Sequence, residues 1–369
     1  MASEIRVKKT PASLDIDITN RCNLRCSYCS HFSSASDTDT DLSTEEWLRF
    51  FRELKDCAVK EVCLSGGEAL IRKDLKELIN GIHDARMRFS ILSNGTLITD
   101  ELADFIKSTG RCNSIQVSID GPGPESHDIF RGEGSFAKAI AGLKVLLKHK
   151  IPATVRVTIH KYNYTKLEEI SRLLLEEVGL PSFSTNSAGY VGLCRENKDA
   201  VQLNVEEYSL AIAKLFELNR KYNGRIAAQA GPLASGRHWL EMQQAFDQGK
   251  EGFADCGALV SCGGVFGKMA VRSDGVMVPC VQLPHIELGR INRDSLREVW
   301  LNHPELARLR ERRNTSLRDF EFCRDCQFIP YCRGGCPALA YTLTGNENNP
   351  SPDACYRTFL AAGGKLPAL

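Results

Sequence analysis

The stretch Ser13-Leu-Asp-Ile-Asp-Ile-Thr19-Asn-Arg-Cys22-Asn-Leu-Arg-Cys26-Ser-Tyr-Cys29 decides the reading of this chain. Its first seven residues form a β-rich run, and a loop with three cysteines in eight residues follows directly. The runs EVCLS (61–65), RFSILS (88–93), SIQVSID (114–120), ATVRVTI (153–159) and PSFSTN (181–186) repeat the pattern, so six strands are expected between residues 13 and 186. The stretches between them have helical periodicity with start signals: Ser43 precedes Glu46 and Thr165 precedes Glu168, both capping-box patterns. Alternation of strand and helix implies parallel βαβ units. Six such units predict an α/β fold, a partial (β/α)6 barrel with its core over about 13–186, rather than a closed eightfold barrel. Reactive groups of such folds sit in the loops after the carboxyl ends of the strands. The cysteine loop follows strand one and Gly66-Gly67-Glu68 follows strand two, which predicts a common rim for both.

Composition narrows the function classes. A chain of 369 residues, 43% hydrophobic and 25% charged, can bury a large core and is expected to form one large domain and a smaller one. Basic and acidic residues number 47 and 46, so no net field recruits nucleic acid or an anionic membrane. The start, MASEIRVKKT, has no apolar stretch behind its basic residues, and nowhere do 18 apolar residues run together. A soluble cytoplasmic protein is expected. Fifteen cysteines in such a chain read as metal ligands rather than disulfides. Eleven are grouped. Of the other four, Cys57, Cys63 and Cys112 read as buried small hydrophobes.

An amphipathic helix is expected over 205–222, and a Gly- and Ala-containing connection over 227–236 as the approximate domain junction, dividing the chain into 1–230 and 231–369. Beyond Cys256 the chain is rich in Cys, Gly and Pro, and one helix is expected there, about 295–312; bound metal is the expected staple. Tyr190, Cys194 and Arg195 in SAGYVGLCR read as an ordinary loop before they read as substrate contacts. Arg308, Arg310, Arg312, Arg313 and Arg318 read as a solvated helix face before a site for an acidic peptide.

Cys22, Cys26 and Cys29 can wrap a 4Fe–4S cluster and leave one iron without a protein donor. An open iron binds a substrate or cofactor, whereas a cluster held by four cysteines mainly carries electrons. A zinc loop would bring paired ligands and a nearby fourth, absent from this stretch. This spacing, with an aromatic residue, Tyr28, before the third cysteine, resembles the radical SAM superfamily. The resemblance implies that the open iron chelates S-adenosyl-L-methionine, which is reductively cleaved to a 5′-deoxyadenosyl radical. The other rim residues suit that cofactor. Gly66 and Gly67 permit close backbone approach, and the Glu68 carboxylate can accept from an ammonium group. Ser93 and Asn94, and Ser118 and Asp120, end strands three and four with small polar groups suited to ribose or carboxylate oxygens; Arg131 is expected to pair with the methionyl carboxylate.

The carboxy-terminal cysteines, Cys256, Cys262, Cys280, Cys323, Cys326, Cys332, Cys336 and Cys355, together with Arg333-Gly-Gly-Cys336 and Ser295-Leu-Arg-Glu-Val-Trp300, resemble the SPASM extension of radical SAM enzymes. Position by position the resemblance implies that Cys256, Cys262, Cys280 and Cys336 hold one auxiliary 4Fe–4S cluster. Cys323, Cys326, Cys332 and Cys355 would hold the second, giving three clusters in all. Two structural zinc sites are the alternative. Formylglycine-generating relatives carry an acidic residue after the cysteine matching Cys280; Val281 stands here, which lowers that reading.

The pattern is most similar to maturases of ribosomal precursor peptides, including those of pyrroloquinoline quinone and mycofactocin biosynthesis. It implies a peptide substrate, met through a separate leader-peptide-binding protein or by direct recognition of a short peptide, and an electron donor such as flavodoxin or ferredoxin. A tetrapyrrole-modifying enzyme and a non-enzymatic electron-transfer protein are the other classes left open.

Overall fold

The computed structural model describes residues 7–31, 41–260 and 263–367. Cys262, one of the expected cluster ligands, lies outside them. Along the chain run β1 (Ser13–Thr19), α1 (Thr44–Asp56), β2 (Glu61–Gly66), α2 (Leu75–Asp84), β3 (Arg88–Ser93), α3 (Asp100–Thr109) and β4 (Cys112–Ser118). Then come α4 (Pro124–Arg131), α5 (Ser135–Lys148), β5 (Ala153–Ile159), α6 (Leu167–Arg172), β6 (Phe183–Ser187), α7 (Leu193–Glu196) and α8 (Lys198–Val201). The rest comprises α9 (Val205–Lys221), β7 (Ile226–Ala228), α10 (Pro232–Asp247), β8 (Lys268–Val271), β9 (Val276–Val278), β10 (Gly289–Arg290), α11 (Leu296–Asn302), α12 (Pro304–Glu311), α13 (Pro337–Thr344) and α14 (Tyr356–Ala361). The six expected strands are all present. The expected junction over 227–236 instead holds the end of β7 and the start of α10.

The chain forms two compact units, one of residues 1–119, 123–155 and 263–308, the other of 120–122, 156–262 and 309–369. In the first, β1 pairs in parallel with β2, β2 with β3, β3 with β4, and β8 with β1. Antiparallel β9 and β10 extend its edge. In the second, β5, β6 and β7 are parallel neighbours. Leu14, Ile16, Ile18, Val62, Leu64, Phe89 and Ile91 are sealed from water on the helix side of the first sheet. Helix α1 meets a core with Trp47, Phe50, Phe51 and Leu54, spaced as one helical face. Its Ser43–Glu46 capping box is formed.

Several expectations are corrected. The Thr165–Glu168 box does not form: Tyr164–Lys166 is a 3-10 turn, α6 begins after it, and Glu168 instead pairs with Lys214 and Lys221 of α9. A box at Asn204–Glu207 caps α9. The helix expected over 295–312 is two helices, because Pro304 forces His303 into extended backbone. Helices α13 and α14 also stand beyond Cys256, where one helix was expected. Arg310 and Arg312 are buried, so the arginine run is not a solvated face; Arg312 Nη1 donates to Val260 O at 2.6 Å. Cys57 is buried as expected, but Cys63 and Cys112 are only half-buried, and Cys63 faces away from the helices.

That other face of the first unit's strands is polar. Lys268 pairs with Asp15 at 2.8 Å, and Ser65 Oγ donates to Asp17 at 2.7 Å. Strands buried on both faces of a parallel sheet usually read as continuous apolar runs. The alternation in SLDIDIT and ATVRVTI therefore marks an inner face built for polar contacts.

One ion-pair clamp ties the β1 end to the segment after β2. Arg72 Nη1 donates to Ile18 O at 2.7 Å and Leu42 O at 3.1 Å, while its Nε and Nη2 grip Asp74 at 2.8 and 2.6 Å. Arg72, aided by Thr44, holds the Asp74 carboxyl down to about 2 against the opposing effect of burial. This lies below the ordinary 3.8, so the stabilisation is complete above that value and is lost as the pH falls through about 2. Asp74→Asn is expected to lower the thermal midpoint at neutral pH and to flatten the acid loss of stability over that window, followed by circular dichroism. An unchanged acid slope would refute the clamp.

Candidate functional site

The cysteine loop is set by steric contact. Gly66 adopts φ +123°, and a Cβ there would lie 2.1 Å from Thr19 O. A Cβ on Gly67 would lie 2.4 Å from Arg21 O and 3.1 Å from Cys22 Cβ. Only a backbone without side chains fits, and it is fastened by Gly67 N to Thr19 O at 3.0 Å and Glu68 N to Arg21 O at 2.9 Å. On the far side of the loop, Ser27 N donates to Phe130 O at 3.1 Å, and buried Tyr28 packs on Phe130 and lies 5.6 Å beneath the Arg131 guanidinium.

Glu68 is fully buried. Its carboxylate accepts from Leu70 N at 3.1 Å, Ser93 Oγ at 2.9 Å and Asn94 N at 2.7 Å, tying the β2 end to the β3 end. Burial raises its pKa against these hydrogen bonds and the charge of Arg131. Asn94 Nδ2 donates to Asn23 Oδ1 at 2.9 Å and reaches to 4.0 Å from Cys22 Sγ. Thus Cys22, Cys26, Cys29, Tyr28, Gly66, Gly67, Glu68, Ser93, Asn94, Ser118 and Arg131 share the first unit, on loops at the carboxyl ends of β1 to β4 or on α4. Asp120 belongs to the second unit and serves a local tie: its buried Oδ1 accepts from Thr158 N at 2.7 Å.

These thiols suit a metal centre. Burial raises the Cys22 thiol pKa, and the charges of Glu68 and Cys29 push the same way, against the Leu24 N–H and Arg25. Metal ligation removes that conflict, since a coordinating thiol is deprotonated outright. Among the described residues no three His, Cys, Asp or Glu side chains form a group that could hold a single metal ion. A cube, in which each iron takes its own thiolate, has different needs.

In the second unit, Cys323, Cys326, Cys332 and Cys355 line one small cavity walled by Leu317, Phe328, Ile329 and Tyr356. Burial first, then the neighbouring thiols, push Cys323 up to about 11, and burial likewise pushes Cys332 to about 11. Gly334 N donates to Cys332 Sγ at 3.4 Å, and Arg333 Nε to Cys256 Sγ at 3.4 Å. Such N–H···S bonds are a usual support for iron–sulfur ligands. Cys336 caps α13 in this unit, whereas Cys280 lies in the first unit, where Gln282 N donates to its sulfur at 3.5 Å. Cys194 is buried in α7; Tyr190 is half-buried and Arg195 exposed.

Gly67→Ala is expected to displace Cys22 and to lower iron after anaerobic reconstitution by about four atoms per chain, the content of one cluster. Iron assay beside far-ultraviolet circular dichroism checks this; full iron content would show that the close contact is dispensable.

Residues 16–174 match the Radical SAM superfamily, and residues 262–327 match SPASM, an iron-sulfur cluster-binding domain. The chain is 29% identical over 364 residues to an AdoMet-dependent heme synthase of Methanosarcina barkeri, covering 96% of this chain and 99% of that protein. It is 27% identical over 354 residues to a PqqA peptide cyclase of Ruegeria pomeroyi, covering 94% of this chain and 88% of that one. Its fold matches Streptococcus suis SuiB bound to precursor peptide SuiA with a TM-score of 0.70 at 17% identity, over 95% of this chain and 77% of that one. No helix among the described residues is long and apolar enough to cross a membrane. Two domain matches in sequence order, on a cysteine loop locked by a glycine pair, make this chain a member of the radical SAM enzymes that carry a SPASM iron–sulfur domain.

Proposed function

We propose that this protein is a peptide maturase that uses S-adenosylmethionine and three 4Fe–4S clusters to abstract hydrogen from a ribosomally made precursor peptide. The observation that carries the radical reading is the Cys22–Cys29 loop, pinned by Gly66 and Gly67 beside Glu68 and Arg131. Cys22, Cys26 and Cys29 would hold the first cluster. Cys256, Cys262, Cys280 and Cys336 would hold one auxiliary cluster, and Cys323, Cys326, Cys332 and Cys355 the other. When bound and reduced, the first cluster supplies the electron that cleaves S-adenosylmethionine to a 5′-deoxyadenosyl radical.

The chain's own residues orient that cofactor. Glu68 and Arg131, one acidic and one basic, match the ammonium and carboxylate of the methionyl end. A carboxylate offers about four acceptor sites, and three are taken by Leu70, Ser93 and Asn94, which leaves one to face a ligand. Asn94 and Ser118 present polar groups along the same row of strand ends, and Ser93 and Asp120 hold those ends in place. Residues 1–230 would carry the radical chemistry and 231–369 the auxiliary clusters. The protein would work in the cytoplasm with a flavodoxin or ferredoxin as electron donor and a separate protein that binds the leader of the precursor.

Similarity to PqqA peptide cyclase and the fold of SuiB support a peptide. A second reading, tetrapyrrole modification, is favoured by similarity to the heme synthase along nearly the whole of both chains. Reconstituted protein is expected to hold about 12 iron atoms and to form 5′-deoxyadenosine with dithionite, while the triple Cys22, Cys26 and Cys29→Ala variant holds about 8 and forms none. Cys326→Ala is expected to keep 5′-deoxyadenosine formation yet lose peptide modification, read by mass spectrometry with peptides encoded beside the gene. Zinc in place of iron would overturn the cluster reading. Conversion of a porphyrin with no peptide mass change would replace the peptide by the tetrapyrrole.

A further inference from the structure

The polar faces of the strands in the two units differ in one respect. In the first unit the charges on this face are partnered: Lys268 has Asp15, and Asp17 has Ser65 and His31. In the second unit Arg156 has none. Its neighbours along β5, Val155, Val157 and Ile159, are sealed against the helix side, so Arg156 and Thr158 stand on the opposite face. The register places Arg156 across from Ser184 and Thr158 across from Asn186, which makes Asn186 the diagonal neighbour of Arg156, within reach of a long side chain.

The Arg156 Nε is shut off from water without an acceptor, and no carboxylate or carbonyl among the described residues takes a hydrogen bond from the guanidinium. Burial alone lowers its pKa, with no opposing charge to compensate. Asn186 Oδ1 is likewise buried and unpartnered. The acidic group that acts on Tyr190 and Tyr208 in this unit is Asp353, and it does not act on Arg156. Buried polar groups, cations above all, are ordinarily satisfied, because leaving them unpaired is costly. Two orphans side by side on the inner face of one sheet mark a place completed by a ligand.

We infer that Arg156, with Asn186 beside it, binds a carboxylate of the substrate. One fixed cation flanked by neutral groups matches a single negative charge, and the planar guanidinium fork matches the two oxygens of a carboxylate. The amide of Asn186 adds a donor and an acceptor for an adjoining polar group of the same molecule. This assignment rests on the function proposed above only for what then happens to the substrate. The carboxylate has two sources under that proposal: an acidic residue of a peptide, or a propionate of a tetrapyrrole.

The test uses reconstituted holoenzyme and two pairs of probes, iron coproporphyrin III against its tetramethyl ester, and a peptide with a single Glu against its Gln counterpart. Wild type is expected to bind the acid form of one pair at least about tenfold more tightly than the blocked form. The pair that shows this preference identifies the source. Arg156→Met is expected to bring the ratio to about one, and Arg156→Lys to keep part of it, since the charge remains but the fork is lost. Without any probe, Arg156→Met is expected to leave the thermal midpoint unchanged or higher, because a half-buried cation whose Nε has no acceptor has been removed. A lower midpoint would make Arg156 a structural residue and overturn the inference. So would an acid preference that survives in Arg156→Met, or wild-type binding that never distinguishes acid from blocked probe. Failure of wild type to form 5′-deoxyadenosine would instead sink the proposed function and leave the binding ratios as they stand.

Discussion

The approach of the Gly66–Gly67 turn to the backbone of residues 19–22 is the contact on which the site depends. At 2.1 and 2.4 Å, the distances from an imagined Cβ to Thr19 O and Arg21 O lie far inside van der Waals contact, so no other residue type can stand there without moving the cysteine loop. Everything else at this rim is arranged around that contact. Glu68, next in sequence, is carried inward to bind Ser93 Oγ and Asn94 N, which sets the end of β3 relative to β2. Asn94 in turn reaches back to Asn23 in the cysteine loop. The result is a closed circuit through three strand ends, in which a local steric demand fixes a thiol.

The price of placing polar groups inside a sheet is met differently in different parts of the molecule. On the first sheet the charges compensate one another, as Asp15 and Lys268 do, so the face is stable without a ligand. Half-exposed ion pairs of this kind add little net stability, because water screens them. Arg156 and Asn186 lack such compensation. A fold tolerates such a deficit where binding makes it good, which is the usual trade between stability and function.

The features legible in the sequence are those whose physical cause is local. The three-cysteine loop and the eight carboxy-terminal cysteines stand out because ligand chemistry restricts both residue type and spacing, and the six strands because their alternation is periodic. Strands β7 to β10 span only two to four residues each, too few for a periodic signal. The Thr165–Glu168 pattern failed because tertiary ion pairs with Lys214 and Lys221 claimed the carboxylate, a competition between elements that a local motif cannot express. Arg310 and Arg312 follow the same logic in reverse: their burial depends on what packs above them, such as the Val260 carbonyl that Arg312 meets. Arg156 was present in the text of ATVRVTI, but its significance lies in a partner that is missing, and sequence does not record missing partners.

The carboxy-terminal cysteines stand in a segment with little regular structure. Cys323, Cys326 and Cys332 are joined by short turns, with Cys326 N donating to Cys323 O at 2.9 Å and Cys332 N to Ile329 O at 3.0 Å. These turns bury Phe328, Ile329 and Tyr331. Phe328 and Tyr331 join Trp239, Met242, Tyr356 and Phe359 from elsewhere in the unit in a largely aromatic cluster against which Cys326 and Cys332 pack. Trp239 fastens that cluster to the turn before Cys355 by donating from Nε1 to Ala354 O at 3.3 Å. Burial in an apolar cavity raises the Cys323 and Cys332 thiols, and the charges of the neighbouring cysteines add to it. The cavity therefore disfavours free thiolates, and under the proposed assignment a bound cluster would relieve that cost by taking the four thiolates as ligands.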